Sequence, residues 1–113
     1  MRSSIVSVDK DTTLVECAVQ LVEQKVSSLL ITNNGEYEGI VTPKDIVRKA
    51  IAKGLDPKTT LAHAVMSSPI LGMEYYLPRE EAHEYMLRHK IKHLAATDNK
   101  KIIGILTFKD MTR

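Results

Sequence analysis

The sequence has no tryptophan, one phenylalanine and four tyrosines, so any core built from it must be mostly aliphatic. It has a single cysteine, Cys17, which excludes an internal disulfide and suits a reducing cytoplasm. That residue reads as a small apolar side chain buried on a helix face. No apolar run reaches about 18 residues, and no charged-then-apolar leader is visible, so neither a membrane span nor a signal peptide is expected. An excess of one charge is lacking too. Sixteen Lys and Arg against 14 Asp and Glu leave a net charge of +2, too small and too evenly spread for nucleic-acid binding by bulk electrostatics. Arg88, Lys90 and Lys92 read as a solvated face.

What is present is an ordinary globular balance, 43% hydrophobic and 27% charged over 113 residues. That length makes one domain, or two half-domains sharing a core. An internal repeat decides between them. Shifting the chain by 65 residues aligns positions 3–48 with 68–113 without a gap, and 13 of the 46 pairs are identical. The densest match sets Gly-Ile-Val-Thr-Pro-Lys-Asp, Gly39 to Asp45, against Gly-Ile-Leu-Thr-Phe-Lys-Asp, Gly104 to Asp110.

Each copy carries the same succession of signals. Ile5–Val8 and Ile70–Met73 are short apolar stretches that predict strands. Thr13 to Glu16 has capping-box spacing, and Val15, Ala18, Val19, Val22 and Val26 recur at helical period, predicting a helix with that stripe in the core. In the second copy Pro78 suits a first helical turn, and Glu80 and Glu81 follow it. Ser28–Thr32 and His93–Thr97 predict strands. Turn chemistry at Asn34-Gly35 and Asp98-Asn99 folds each back on Tyr37–Val41 or Lys101–Leu106. A second helix is expected over Pro43–Lys53, and again from Asp110, where the chain soon stops. The result is two β-α-β-β-α repeats of α+β class, residues 1–53 and 67–113, the last helix truncated. Residues 54–66 form a linker with a short amphipathic piece at Leu61–Met66.

This order of elements, the Val-Met-Ser-Ser-Pro approach to the second copy and the doubled Gly-Ile-x-Thr-x-Lys-Asp stretch resemble a tandem pair of CBS domains, or Bateman module, over nearly the whole chain. The resemblance implies two repeats packed through their sheets about a pseudo-twofold axis. It also implies two clefts for adenosine-containing ligands, and a homodimer. The sequence departs from the family pattern at Ala95-Ala96, where Pro-Val is usual, and at Tyr75-Tyr76-Leu77, where a Thr-Leu helix start is usual.

The repeated motif has chemistry suited to such a ligand. An ionised carboxylate accepts hydrogen bonds from both hydroxyls of a ribose, a task for Asp45 and Asp110. Thr42 and Thr107 place a hydroxyl three residues earlier. Free N–H groups at the helix start would favour a phosphate, and Gly39 and Gly104 would allow close approach. The same Thr-x-x-Asp spacing is also that of a helix cap, with Pro43 reinforcing it. By resemblance, Thr42 and Asp45 would face Ser67, Ser68 and Ile70 with Lys92, His93 and Leu94. Thr107 and Asp110 would face Ser4 and Ile5 with Ser27, Ser28 and Leu29. Lys92 and His93 would neutralise phosphate in the first cleft, making it the tighter one.

Other chemistry finds little footing. His89 and His93 have metal-ligand spacing only on one continuous helix, and the pattern puts a helix end between them. Met66, Met73 and Met86 read as core packing. No P-loop, dinucleotide fingerprint or nucleophile–base constellation is present. No catalytic residue, metal or cofactor is therefore expected. The expected function is a non-catalytic sensor that binds AMP, ADP or ATP and signals to a partner protein, with S-adenosylmethionine or NADH as alternative ligands. The competing expectation is a structural dimerisation module whose clefts stay empty.

Overall fold

A computed structural model of the protein describes residues 5–108. The chain falls into two units, Val6–Ile70 and a second built from Leu71 onward together with Ile5. The first unit contains β1 (Ser7–Asp9), α1 (Leu14–Glu23), β2 (Leu29–Asn33), β3 (Glu36–Val41) and α2 (Pro43–Lys49). The second contains β4 (Gly72–Glu74), α3 (Arg79–His89), β5 (His93–Asp98) and β6 (Lys101–Thr107). Each unit is thus a mixed α+β fold around a three-stranded sheet, ordered β1-β2-β3 or β4-β5-β6, with the first pair parallel and the second antiparallel.

The repeat offset holds in fine detail. The ladder slips by one residue between Ile31 and Thr32 and again between Ala96 and Thr97, 65 positions on. Lys25 and Lys90 both adopt left-handed backbone at helix ends (φ 55° and 57°), as do Asn34 and Asn99 in the hairpins. The second hairpin turns on Asn99-Lys100, because Asp98 pairs with Lys101; it lies one residue beyond the predicted Asp98-Asn99.

Several boundaries move. β1 and β4 start two residues later than predicted. The apolar residues ahead of them still pair, since the carbonyls of Val6 and Leu71 accept from the amides of Leu30 and Ala95 (2.9 and 3.0 Å). The helix predicted over Pro43–Lys53 breaks at Ala50 (φ −123°, ψ −65°). It continues as one 3₁₀ turn, Ile51–Lys53, ended by left-handed Gly54. Pro78 stands at the cap position of α3 rather than inside its first turn. Thr13 accepts from the amide of Glu16 (3.3 Å), but the Glu16 carboxylate accepts from Gln20 instead of closing a capping box.

The buried face of α1 corrects the predicted stripe. Leu14, Cys17 and Leu21 enter the core, while Val15, Ala18, Val19 and Val22 are exposed and Val26 is half-buried. Both faces of α1 are apolar, so helical period alone did not choose between them. The first core joins Leu14, Cys17, Leu21, Leu29, Ile31 and Val41 to Ala50, Ala62 and Val65. Among the described residues the second is smaller, with Ala82, Met86 and Leu94 buried and Leu71, Met73, Tyr85, Ile91, Leu106 and Phe108 packed against them. Residues 54–66 belong structurally to the first unit. Their carbonyls at Pro57 and Thr60 accept from Val15 and Leu14, the first amides of α1 (3.1 and 3.0 Å), and Ala62 and Val65 are buried.

Candidate functional site

The strand β3 ends at Val41 and delivers Thr42 to the cap of α2. Pro43 occupies the first helical position, where its missing N–H costs nothing. Thr42 and Asp45 then form a complete capping box. The Asp45 amide donates to Thr42 Oγ1 (3.3 Å), and Asp45 Oδ2 accepts from the Thr42 amide (3.0 Å) and from its hydroxyl (3.1 Å). The other carboxylate oxygen, Oδ1, lies 3.2 Å from Lys49 Nζ, one turn along the helix. An ionised carboxylate can accept about four hydrogen bonds, so the two oxygens are largely engaged within α2 itself.

Lys49 reaches further. Its ammonium donates to the carbonyl of Val65 (3.1 Å) and to Ser67 Oγ (3.3 Å). Residues 65–68 are held beside β3 by a two-bond bridge, in which Ile40 and Ser67 exchange amide–carbonyl bonds of 3.0 and 2.9 Å. The Ser68 hydroxyl donates to the carbonyl of Glu38 (2.9 Å), the residue that the β3 register shift leaves without a partner.

The close approach expected at Gly39 is made by a neighbouring segment of the chain. A Cβ on Gly39 would meet Met66 Sδ at 2.5 Å and the Ser67 carbonyl at 3.0 Å, so glycine is what lets this segment lie against β3. The anion-binding helix start expected from the motif is weaker than supposed. α2 has only seven residues, Pro43 has no N–H, and the Asp45 amide is spent on Thr42.

Of the residues predicted to line the first cleft, Thr42, Asp45, Ser67 and Ser68 are thus gathered around the end of β3, and Ile70 is half-buried in the same unit. Lys92, His93 and Leu94 belong to the second unit. Lys92 is exposed, with its ammonium 5.2 Å from the Phe108 ring centroid. His93 pairs with Thr107 across β5 and β6, and Leu94 is fully buried. For the second predicted cleft, Ser27 is exposed, Ser28 and Ile5 are half-buried and Leu29 is in the core. Ser4 and Asp110 lie outside the described residues. Lys49 was absent from the sequence reading, although a lysine four residues after an aspartate on a helix is a recognisable ion-pair spacing.

The remaining reactive groups sit in structural roles. Cys17 is fully buried, and burial pushes its thiol up to about 11, so it stays protonated at neutral pH. α3 ends between His89 and His93. His89 packs on the Tyr85 ring at 4.2 Å and His83 on Phe108 at 4.9 Å. Among the described residues no group of three His, Cys, Asp or Glu could hold a metal, and no helix is long and apolar enough to cross a membrane.

A strand, a helix and a two-stranded hairpin, written twice, with a threonine–aspartate cap at the exit of the first hairpin, define a duplicated α+β module. The family model for the CBS domain matches residues 1–52 and again 56–113, and the chain belongs to that family as a tandem pair. Proteins of this family are commonly regulatory or sensor modules and are generally non-catalytic. An uncharacterised protein of Methanopyrus kandleri is 32% identical over 112 residues, covering 97% of this chain. The match spans 57% of that relative, little more than half its length. A solved structure of an uncharacterised conserved protein from Pyrococcus horikoshii is similar at a TM-score of 0.92 and 28% identity, over 98% of this chain and 84% of that one. The hexameric CBS-CP12 protein of bloom-forming cyanobacteria is similar at 0.89 and 26%, over 98% and 65%.

Proposed function

We propose that this CBS pair is a non-catalytic sensor that binds an adenosine-containing ligand, AMP, ADP or ATP, with Asp45 and Thr42 taking the ribose. It reads as repeat 1 at 1–53, a linker, and repeat 2 at 67–113. The observation that carries the reading is a carboxylate held in place by its own helix cap with an ammonium beside it, one group for a diol and one for a phosphate. Occupancy would then favour one conformation through its differential affinity, and a partner protein would read that shift.

A thermal-shift titration with AMP, ATP, S-adenosylmethionine and NADH tests this. Ligand at about 100 times Kd should add about 2.7 kcal/mol of stability. Asp45→Asn, which keeps an acceptor for the cap but lacks the charge, should abolish most of the shift. A second reading, a structural module whose Thr-x-x-Asp serves only as a cap, is favoured by the engagement of both Asp45 oxygens within α2. No shift with any of the four ligands would establish it.

Self-association is part of the proposal. The apolar stripe of Val15, Val19 and Val22, with Val22 76% exposed, is a surface that a second copy could cover. Val22→Glu should leave stability within about 0.5 kcal/mol while shifting the sedimentation profile toward the single chain. An unchanged profile would remove this stripe from the assembly.

A further inference from the structure

We propose that Lys49 selects the charge of the ligand, so that the Asp45 site prefers adenosine bearing a 5′ phosphate over uncharged adenosine and over cationic S-adenosylmethionine. The inference rests on the nucleotide reading above and gives that site its specificity.

A phosphate brought next to the Asp45 carboxylate meets a like charge, so some group must offset it. The usual source, the amides of a helix start, is depleted here by Pro43 and by the bond from the Asp45 amide to Thr42. The neighbouring serines are committed as well. Ser67 spends its amide on Ile40, and Ser68 spends its hydroxyl on Glu38. Lys44 and Arg48 are exposed on the same helix, but no ion pair ties them to this carboxylate. Among the described residues, Lys49 is the cation in contact with it.

The ammonium is also pre-positioned. Its three N–H donors have three acceptors, Asp45 Oδ1 at 3.2 Å, the Val65 carbonyl at 3.1 Å and Ser67 Oγ at 3.3 Å, while the side chain remains 43% exposed. The Ser67 hydroxyl, the longest of the three and on an exposed residue, is the partner a phosphate oxygen can replace. The ammonium then keeps Asp45 and Val65 and gains a charge-assisted bond. A neutral ribose gains nothing from this exchange. A sulfonium ligand places a second cation beside Lys49 and is disfavoured.

Isothermal titration of the full chain with AMP, adenosine and S-adenosylmethionine tests the assignment, using wild type, Lys49→Gln and Lys49→Arg. Wild type should bind AMP at least about tenfold more tightly than adenosine. Lys49→Gln should lose about tenfold toward AMP and change less than about twofold toward adenosine. Lys49→Arg should retain the preference for AMP. The AMP affinity should also fall with added salt in wild type and lose most of that dependence in Lys49→Gln. Equal losses toward AMP and adenosine would make Lys49 a structural tie only, and no loss toward either would remove it from the site; each overturns the proposal. Wild type that binds none of the three overturns the nucleotide reading itself, which the variants alone could not do.

Discussion

The two repeats start from matching sequence and are finished differently. In the first unit Thr13 caps α1, and the next two amides are taken by carbonyls of Pro57 and Thr60. In the second, Pro78 stands at the cap and offers no side-chain bond. The cores diverge in the same direction. Equivalent positions are buried in both, Cys17 with Ala82, Leu21 with Met86 and Leu29 with Leu94. Among the described residues the first core also contains Ala50, Ala62 and Val65, from the segment after Arg48. Lys49, which joins Asp45 to Val65 and Ser67, comes from the same segment. Residues 49–66 bring three buried apolar residues to the first unit and a cation beside its carboxylate.

The sharpest way to break that comparison is through the shared core position. Met86 is fully buried, in a core with few fully covered side chains among the described residues, whereas Leu21 is 7% exposed in the larger one. Met86→Ala should cost about 3 kcal/mol, measured by denaturant unfolding, and Leu21→Ala should cost less. The reverse order would show that the first copy, despite its larger set of described core residues, is the half more dependent on this position.

The fold was legible because two copies constrain each other. Strand, hairpin and helix order were readable from periodicity and turn residues, and the matched bulges and left-handed Lys and Asn positions follow the same 65-residue offset. Of the buried face of α1 only Cys17 was read correctly, yet the repeat contained the rest. Val15, Ala18 and Val19 align with Glu80, His83 and Glu84, which cannot line a core, while Cys17 and Leu21 align with the apolar Ala82 and Met86. At the candidate site, the Thr42–Asp45 pair was visible as a motif. The reason for Gly39 was not, because the atoms that need its missing Cβ belong to Met66 and Ser67, 27 and 28 residues away in sequence. Lys49 escaped notice because it lies just past the aligned stretch, where comparison of the copies could not pick it out.

The smallest predicted effect concerns the hairpins, where the copies differ by one residue. Asn34-Gly35 turns with glycine at the second left-handed position, but Asn99-Lys100 puts a lysine there at φ 68°. A Cβ in that region is unfavourable, and Glu74 at the end of β4 compensates. Its carboxylate accepts from the hydroxyl of Thr97 and from the amides of Asn99 (2.9 Å) and Lys100 (3.3 Å). The Thr97 hydroxyl bond, helped by the two amides and the Lys100 charge against a burial cost, holds Glu74 below its ordinary value of 4.5. A carboxyl whose folded-state value is depressed contributes stability that is complete above the unfolded value and lost as pH falls through the folded one. The difference in melting temperature between wild type and Glu74→Gln should therefore be constant from pH 7 down to about 5.5 and shrink below 4.5. Repeating the scan in a Lys100→Gly background, which gives the second turn the residues of the first, should raise the melting temperature of both proteins and, because the Lys100 charge no longer helps to hold the carboxyl down, move their convergence to higher pH. If the difference grew on acidification, the carboxylate would be opposing the turn, and the lysine would have to be held by something other than Glu74.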